Sequence, residues 1–227
     1  MDVVDAGDPN KWQFPPFSAQ IEDGKLYGRG ATDMKSGLAA AVVAFKQIAH
    51  EELDHGVQLM ATVGEEIDNY GARQLAAAGY GDRLTGLLVA EPGNSNVDAA
   101  ERGIIDYTLT AQGKAAHSSR PDLGANAIHG LFAFANAALT ATAPLQAKDD
   151  PILGHATHNI DIIHGGNQIN SLRESAYLRG NIRTTMIADN DSFIAALKQA
   201  AKTSVPKGVH LSLSIDSVLS AAAAAPD

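Results

Sequence analysis

The sequence predicts an α/β chain in two parts. A domain with a mixed or parallel sheet covers residues 1–97, and an α+β domain of split βαβ type covers residues 98–220. Three observations predict this. In the first part, apolar runs suited to buried strands alternate with stretches of helical spacing, the pattern of a mostly parallel sheet. In the second, the elements run strand, helix, strand, strand, helix, strand. Between the two, near Asp98, the character of the chain changes.

Met1-Asp2-Val3-Val4 reads as the tail of a strand, and residues 5–16, rich in Gly, Pro, Asp and Asn, as loop. Residues 21–27 carry the turn pair Asp23-Gly24, which predicts a hairpin. Leu38, Ala41, Val42, Phe45 and Ile48 fall on one face of a helix over residues 34–49. Residues 57–63 read as a strand, 71–78 as a short helix and 87–90 as a second buried strand. In the second part, strands are expected over 104–112, 157–163, 175–183 and 209–218, the last from the alternation of Leu211, Leu213 and Ile215. Helices are expected over 126–139 and 190–203, with Phe193, Ile194, Leu197 and Ala201 sharing a face of the latter. Residues 221–227 read as the start of a return to the first domain.

The 227 residues carry a net charge of −9, so nucleic acid and anionic membrane are poor partners. Split βαβ domains can bind RNA, but the acidic balance and the lack of aromatics in 104–112 beyond Tyr107 argue against it. There is no cysteine, which leaves His, Asp and Glu for any metal. No apolar run approaches the roughly 20 residues needed to cross a bilayer, and no leader is visible, so a cytoplasmic location is expected.

The chemistry points to acids at the ends of apolar or helix-leading segments. Gly64-Glu65-Glu66 closes the run 57–63, Glu91-Pro92 closes 87–90, and Asp33 ends Gly28-Arg29-Gly30-Ala31-Thr32-Asp33. Adjacent carboxylates at a buried strand end are costly unless a cation binds them. In open α/β sheets, ligands sit beyond the carboxyl ends of the strands. Asp33 alone also suits a helix N-cap, Glu91-Pro92 a turn, and His117 a surface loop. His155, His158 and His164 invite a metal reading, although their surroundings read as strand entry. Gly28-Arg29-Gly30 lacks the rest of any phosphate-binding pattern.

The blocks Met1-Asp2-Val3-Val4, Pro16-Phe17-Ser18, residues 26–35, Gly64-Glu65-Glu66, Glu91-Pro92 and Gly113-Lys114-Ala115-Ala116-His117-Ser118 resemble a family of zinc metallopeptidases and deacylases. That family includes succinyl-diaminopimelate desuccinylase, acetylornithine deacetylase and carboxypeptidase G2. The resemblance implies that Asp33 bridges two zinc ions, that Glu66 and Glu91 each ligate one, and that Glu65 is the general base. Cobalt or manganese are implied as substitutes for zinc. Asp2 resembles an aspartate that supports a zinc-ligating histidine. His117 resembles a histidine of a lid domain that reaches the partner subunit's active site. Asn170 and Arg183 resemble lid residues that hold a substrate carboxylate, and Arg102 the same less closely. The implied reaction is amide hydrolysis of an N-acyl amino acid or short peptide by a homodimer formed through the lid. A peptidase of the same family and a non-catalytic dimerisation module are the alternatives. The family's two zinc-ligating histidines would fall before Met1 and beyond Asp227. These residues alone are therefore expected to bind two zincs poorly and to hydrolyse weakly or not at all. Arg173 stands where relatives commonly have proline.

Overall fold

The computed structural model describes residues 2–67, 69–93 and 96–224. Met1, at the head of the expected strand tail, and residues 225–227, at the end of the expected return, lie outside the described residues. The chain divides into two units, Met1–Val97 and Asp98–Asp227.

In the first unit the expected hairpin forms. Strands β1 (Gln20–Glu22) and β2 (Lys25–Tyr27) pair antiparallel about Asp23 and Gly24, both at positive φ. Helix α1 (Gly37–Ile48) follows an irregular turn over Ala31–Ser36, and α2 spans Tyr70–Ala77. The segments 57–63 and 87–90, expected as buried strands, join no ladder, nor do residues 2–4. Leu87, Leu88 and Val89 are 69%, 83% and 61% exposed. An apolar run states a preference for burial. A strand exists only where a second backbone lies about 4.8 Å away to take its hydrogen bonds, and among the described residues neither run has one. The parallel sheet expected in this unit is therefore not formed there.

The second unit holds the hydrophobic core, from Ile105 to Val209. Strands β4 (Gly103–Gln112), β8 (Thr157–Gly165), β10 (Ser175–Thr184) and β11 (His210–Leu219) form one antiparallel sheet in the order β11-β4-β10-β8. Helices α3 (Ala127–Gln146) and α4 (Asn190–Thr203) lie between the strands in sequence. This is the split βαβ order. Period-2 patterning sets the buried face: Ile105, Tyr107, Leu109 and Ala111 on β4, and Ala176, Leu178 and Ile182 on β10, are buried. Leu131, Phe134 and Ala138 of α3 and Phe193, Leu197 and Ala200 of α4 cover that face. Asn126 caps α3 through the N–H of Ile128, and Asp189 caps α4 through that of Ser192.

Helix α3 runs seven residues past the expected Leu139, to Gln146. Its last turns lack apolar periodicity, but buried Thr142 donates to the Ala138 carbonyl and continues the packed face. With 20 residues, α3 is long and apolar enough by composition to cross a membrane, a test that core helices also pass.

Short pairs complete the unit: β3 (Ala100–Glu101) with β12 (Ala222–Ala223), β5 (Ala116–His117) with β9 (Ser171–Leu172), and β6 (Asp149–Asp150) with β7 (Gly154–His155). Residues 222–223, expected to leave the domain, thus pair within it.

Candidate active site

The first unit gathers its acids through close backbone approaches. At the N-terminus of α1, Gly37 abuts the Ala90 carbonyl so closely that no Cβ fits, which sets Glu91 beside the Asp33 turn. At α2, the Gly71 N–H donates to the Val63 carbonyl at 2.8 Å, fixing the residue before Gly64. Gly64 itself takes a left-handed turn, φ 76°, into Glu65 and Glu66. Asp33 sits in non-helical backbone, and its peptide bond to Met34 is cis. The N-cap position of α1 is Ser36, so Asp33 is not that helix's cap.

Electrostatics bear the marks of this gathering. Partial desolvation, then the charges of Glu66, Asp2 and Asp33, hold Glu65 above the usual carboxylate range. Glu91 is raised likewise, by desolvation and then by Asp33, Glu65 and Glu66. Acids from four separate segments therefore repel one another, an arrangement that favours a bound cation. Among the described residues, however, no three His, Asp or Glu side chains stand close enough to one another to hold a metal ion. The donor set has the right chemistry for a hard or borderline ion; its oxygens are not drawn together to ligating distance.

Asp2 accepts hydrogen bonds from the N–H groups of Gly64, at 2.9 Å, and Glu66, at 3.1 Å. Those donors, Glu66 foremost, pull its carboxyl below the ordinary range. Its observed partners are thus the backbone of the Gly-Glu-Glu turn.

The residues expected to hold substrate divide into separate places within the second unit. His117 and Asn170 are neighbours: β5 pairs with β9, and the Ser118 N–H donates to the Asn170 carbonyl at 2.9 Å. The His117 Nδ1 faces the Ser119 hydroxyl at 2.8 Å. Arg183 is exposed on β10, eight residues beyond Ser175, where that strand begins. At the usual strand rise this is about 26 Å from the His117 end. Arg102 donates twice to the Leu153 carbonyl, at 3.0 and 2.7 Å, and so clasps the β6–β7 turn. Arg173 donates to Asn167 and to the Ser175 carbonyl within its own loop.

The three histidines weighed as ligands go separate ways. His155 meets the Lys148 carbonyl, His164 stacks on Tyr177, and His158 is buried between Tyr107 and Thr142.

One contact beside the site had no sequence signal. The Arg29 guanidinium stacks over Trp12 at 5.0 Å and donates to the Asp5 carbonyl at 3.2 Å. Partners 17 and 24 residues apart leave no local period by which to find them.

A family model described as peptidase family M20/M25/M40 matches residues 1–223, and the chain belongs to that family. A Staphylococcus aureus protein named probable succinyl-diaminopimelate desuccinylase is 39% identical over 242 residues, covering 96% of this chain and 59% of that protein. A Staphylococcus epidermidis protein of the same name is 39% identical over 209 residues, covering 81% of this chain and 52% of that protein. The chain thus spans little more than half the length of these relatives. Among solved structures, an M20 family metallo-carboxypeptidase from Sulfolobus solfataricus matches with TM-score 0.69 at 17% identity, covering 96% of this chain and 63% of that one. An aminopeptidase from Bacillus cereus matches with TM-score 0.59 at 22% identity, covering 87% and 52%. These two likenesses concern the fold.

Proposed function

We propose that this chain is the part of a metal-dependent amide hydrolase that carries most of its acidic centre and a lid, and that the enzyme removes the acyl group from an N-acyl amino acid as a desuccinylase does. The observation that carries the reading is the raising of Glu65 and Glu91, by partial desolvation and then by the charges of Asp33 and Glu66, acids of three motifs of the family. The names of the relatives at 39% identity support the substrate class.

In this reading Asp33 would be shared between two zinc ions, with Glu66 on one and Glu91 on the other. Bound there, the ions would polarise the scissile carbonyl and acidify a water. Glu65, raised by partial desolvation and neighbouring charge, is suited to take a proton from an attacking water and to pass it to the leaving amine. Asp2 holds the turn that presents Glu65 and Glu66. His117, Asn170 and Arg183 would bind the substrate's carboxylate and the developing oxyanion. The separation of His117 and Asn170 from Arg183 along the sheet supports a homodimer, because one small substrate cannot touch both ends of a single lid. The open edge of β8, which pairs only with β10 among the described residues, and the exposed Ile163 on it offer a surface for a second copy.

A second reading, a dimerisation module without catalysis, draws on the location of the buried core in the second unit and on the absence of a ligating trio among the described residues. The deciding experiment is a panel of N-succinyl and N-acetyl amino acids and dipeptides. It is run on the full reading frame with added zinc or cobalt. Metal-dependent release of succinate or acetate supports the deacylase. Cleavage of the dipeptides alone transfers the assignment to a peptidase, and no turnover on any of them favours the module.

A further inference from the structure

Residues 2–12 contain no β-strand and only one short helical turn, Pro9–Lys11, yet they carry the carboxylate that holds the Gly-Glu-Glu turn. What fixes them comes from residues 29 and 30. Arg29 presents its guanidinium face to Trp12 and an Nη2 proton to the Asp5 carbonyl. The Trp12 indole N–H donates in turn to the Ala6 carbonyl at 2.8 Å, and the Gly7 N–H donates to the Asp5 carboxylate at 2.7 Å, which closes the loop on itself. The Arg29 N–H donates to the Pro16 carbonyl at 2.7 Å. Next to it Gly30, buried at φ 76°, lies under Val3; a Cβ there would stand 2.5 Å from a Val3 methyl. The Arg29 Nε is buried and has no partner among the described residues, so this guanidinium is committed to the stack and the carbonyl.

We propose that Arg29 is a positioning residue for the candidate site: by clamping residues 5–12 it holds Asp2 in register with the N–H groups of Gly64 and Glu66, and so fixes how Glu65 and Glu66 are presented. The inference rests on the reading of those two glutamates as site residues. It joins the segment that bears Asp33, four residues after Arg29, to the turn that bears Glu65 and Glu66, through a third segment that holds neither. A planar guanidinium can stack and donate at once; an ammonium keeps the charge over the ring with less directional hydrogen bonding.

The test uses the 227-residue chain with Arg29→Ala, Arg29→Lys and Asp2→Asn, read first by amide hydrogen exchange without metal or substrate. Asp2→Asn is expected to speed exchange at Gly64 and Glu66 about tenfold, because their acceptor is weakened. Arg29→Ala is expected to speed the same two amides by a similar factor, although it touches neither, while β4 and β10 keep their protection. Arg29→Lys should restore part of the protection. Trp12, the only tryptophan of the chain, reports the loss of the stack by its emission. A changed Trp12 emission with wild-type exchange at Gly64 and Glu66 in Arg29→Ala overturns the proposal. If Arg29→Ala also strips protection from α1, Arg29→Lys decides: faster exchange at the two amides supports the coupling, and wild-type rates refute it. Zinc titration follows by calorimetry, and Arg29→Ala should weaken binding about tenfold, with Arg29→Lys recovering most of it. Wild-type zinc affinity in Arg29→Ala likewise counts against positioning. Metal binding is read on the full reading frame, because these residues alone are expected to bind zinc poorly; a wild-type protein that binds none there overturns the reading of the site, and exchange alone then judges the Arg29 coupling.

Discussion

The Tyr107 hydroxyl and the His158 Nε2 lie 2.7 Å apart in the core of the second unit, and the His158 Nδ1 lies 2.8 Å from the Thr142 hydroxyl. The Thr142 hydroxyl donates to the Ala138 carbonyl. A strand of the sheet centre, the edge strand β8 and helix α3 are thereby joined by one polar chain inside an apolar core. A fully partnered network of this kind ties the elements to one arrangement.

This network makes stability depend on acid. Burial pushes His158 down from 6.5 to about 4, against an opposing pull from Asp161; Tyr107 is pushed up by burial first and then by Asp161. The charged and titratable groups bearing on His158 are thus Asp161 on its own strand and Tyr107 on β4. Between pH 6.5 and 4 the unfolded chain binds a proton at His158 that the folded chain refuses, so folding stability falls as pH falls through that window. The loss amounts to at most about 3 kcal/mol. Urea unfolding of the second unit at pH 7, 5.5 and 4.5 measures it. In His158→Gln the unit should be weaker at pH 7 but lose less on acidification; equal slopes in both proteins refute the assignment.

Gly180 tests how tightly this region is packed. A Cβ at Gly180 would collide with the Tyr107 ring, whereas one at Gly86 meets nothing within 4 Å. Gly180→Ala should destabilise the second unit by about 1–3 kcal/mol, the usual cost of overpacking, and Gly86→Ala should leave it unchanged. Both are read from urea midpoints.

The second unit was legible in the sequence because its elements state their own periods, though not every end: α3 runs to Gln146, past the expected Leu139. Leu211, Leu213 and Ile215 alternate, and Phe193 and Leu197 share a helix face. The first unit was legible in its hairpin and helices but not in its strands: residues 57–63 and 87–90 spell burial without naming a partner. At the site, the acids stand at motif positions and act on one another, yet what holds them is read only in space. Asp2 reaches Gly64 across 62 residues and Arg29 reaches Asp5 across 24. His158, spaced as if to join His155 and His164 on a metal, instead serves the core. Identity of residue type gave the chemistry, and only packing could give the destination.

The second unit also makes a prediction about assembly. The outer edge of β8 has no ladder partner among the described residues, and Ile163 on it is 54% exposed. If a second copy pairs there, sedimentation velocity should give a dimer. Ile163→Lys, a charge of the kind that blunts open edges, should then shift the chain toward monomer without lowering the urea midpoint. A wild-type chain that sediments as monomer at all concentrations removes both the dimer and the two-copy substrate site.

The roles given to Glu65 and Glu66 separate under paired substitutions. The two are adjacent and share a turn held by Asp2, so a disturbance of the turn would affect both alike. As general base, Glu65 should touch the proton and not the ion. Glu65→Gln in the full reading frame is expected to lower kcat by about 10²–10⁴-fold while zinc affinity stays near that of the wild type. Glu66→Gln, if Glu66 ligates as proposed, should weaken zinc binding, with turnover partly regained at high zinc. Calorimetry and steady-state kinetics on the two proteins read these outcomes independently. Equal loss of metal affinity in both would mean that Glu65 belongs to the ion and not to the water, and the base would then have to be sought at Glu91, the other carboxyl raised by desolvation and then by its acidic neighbours.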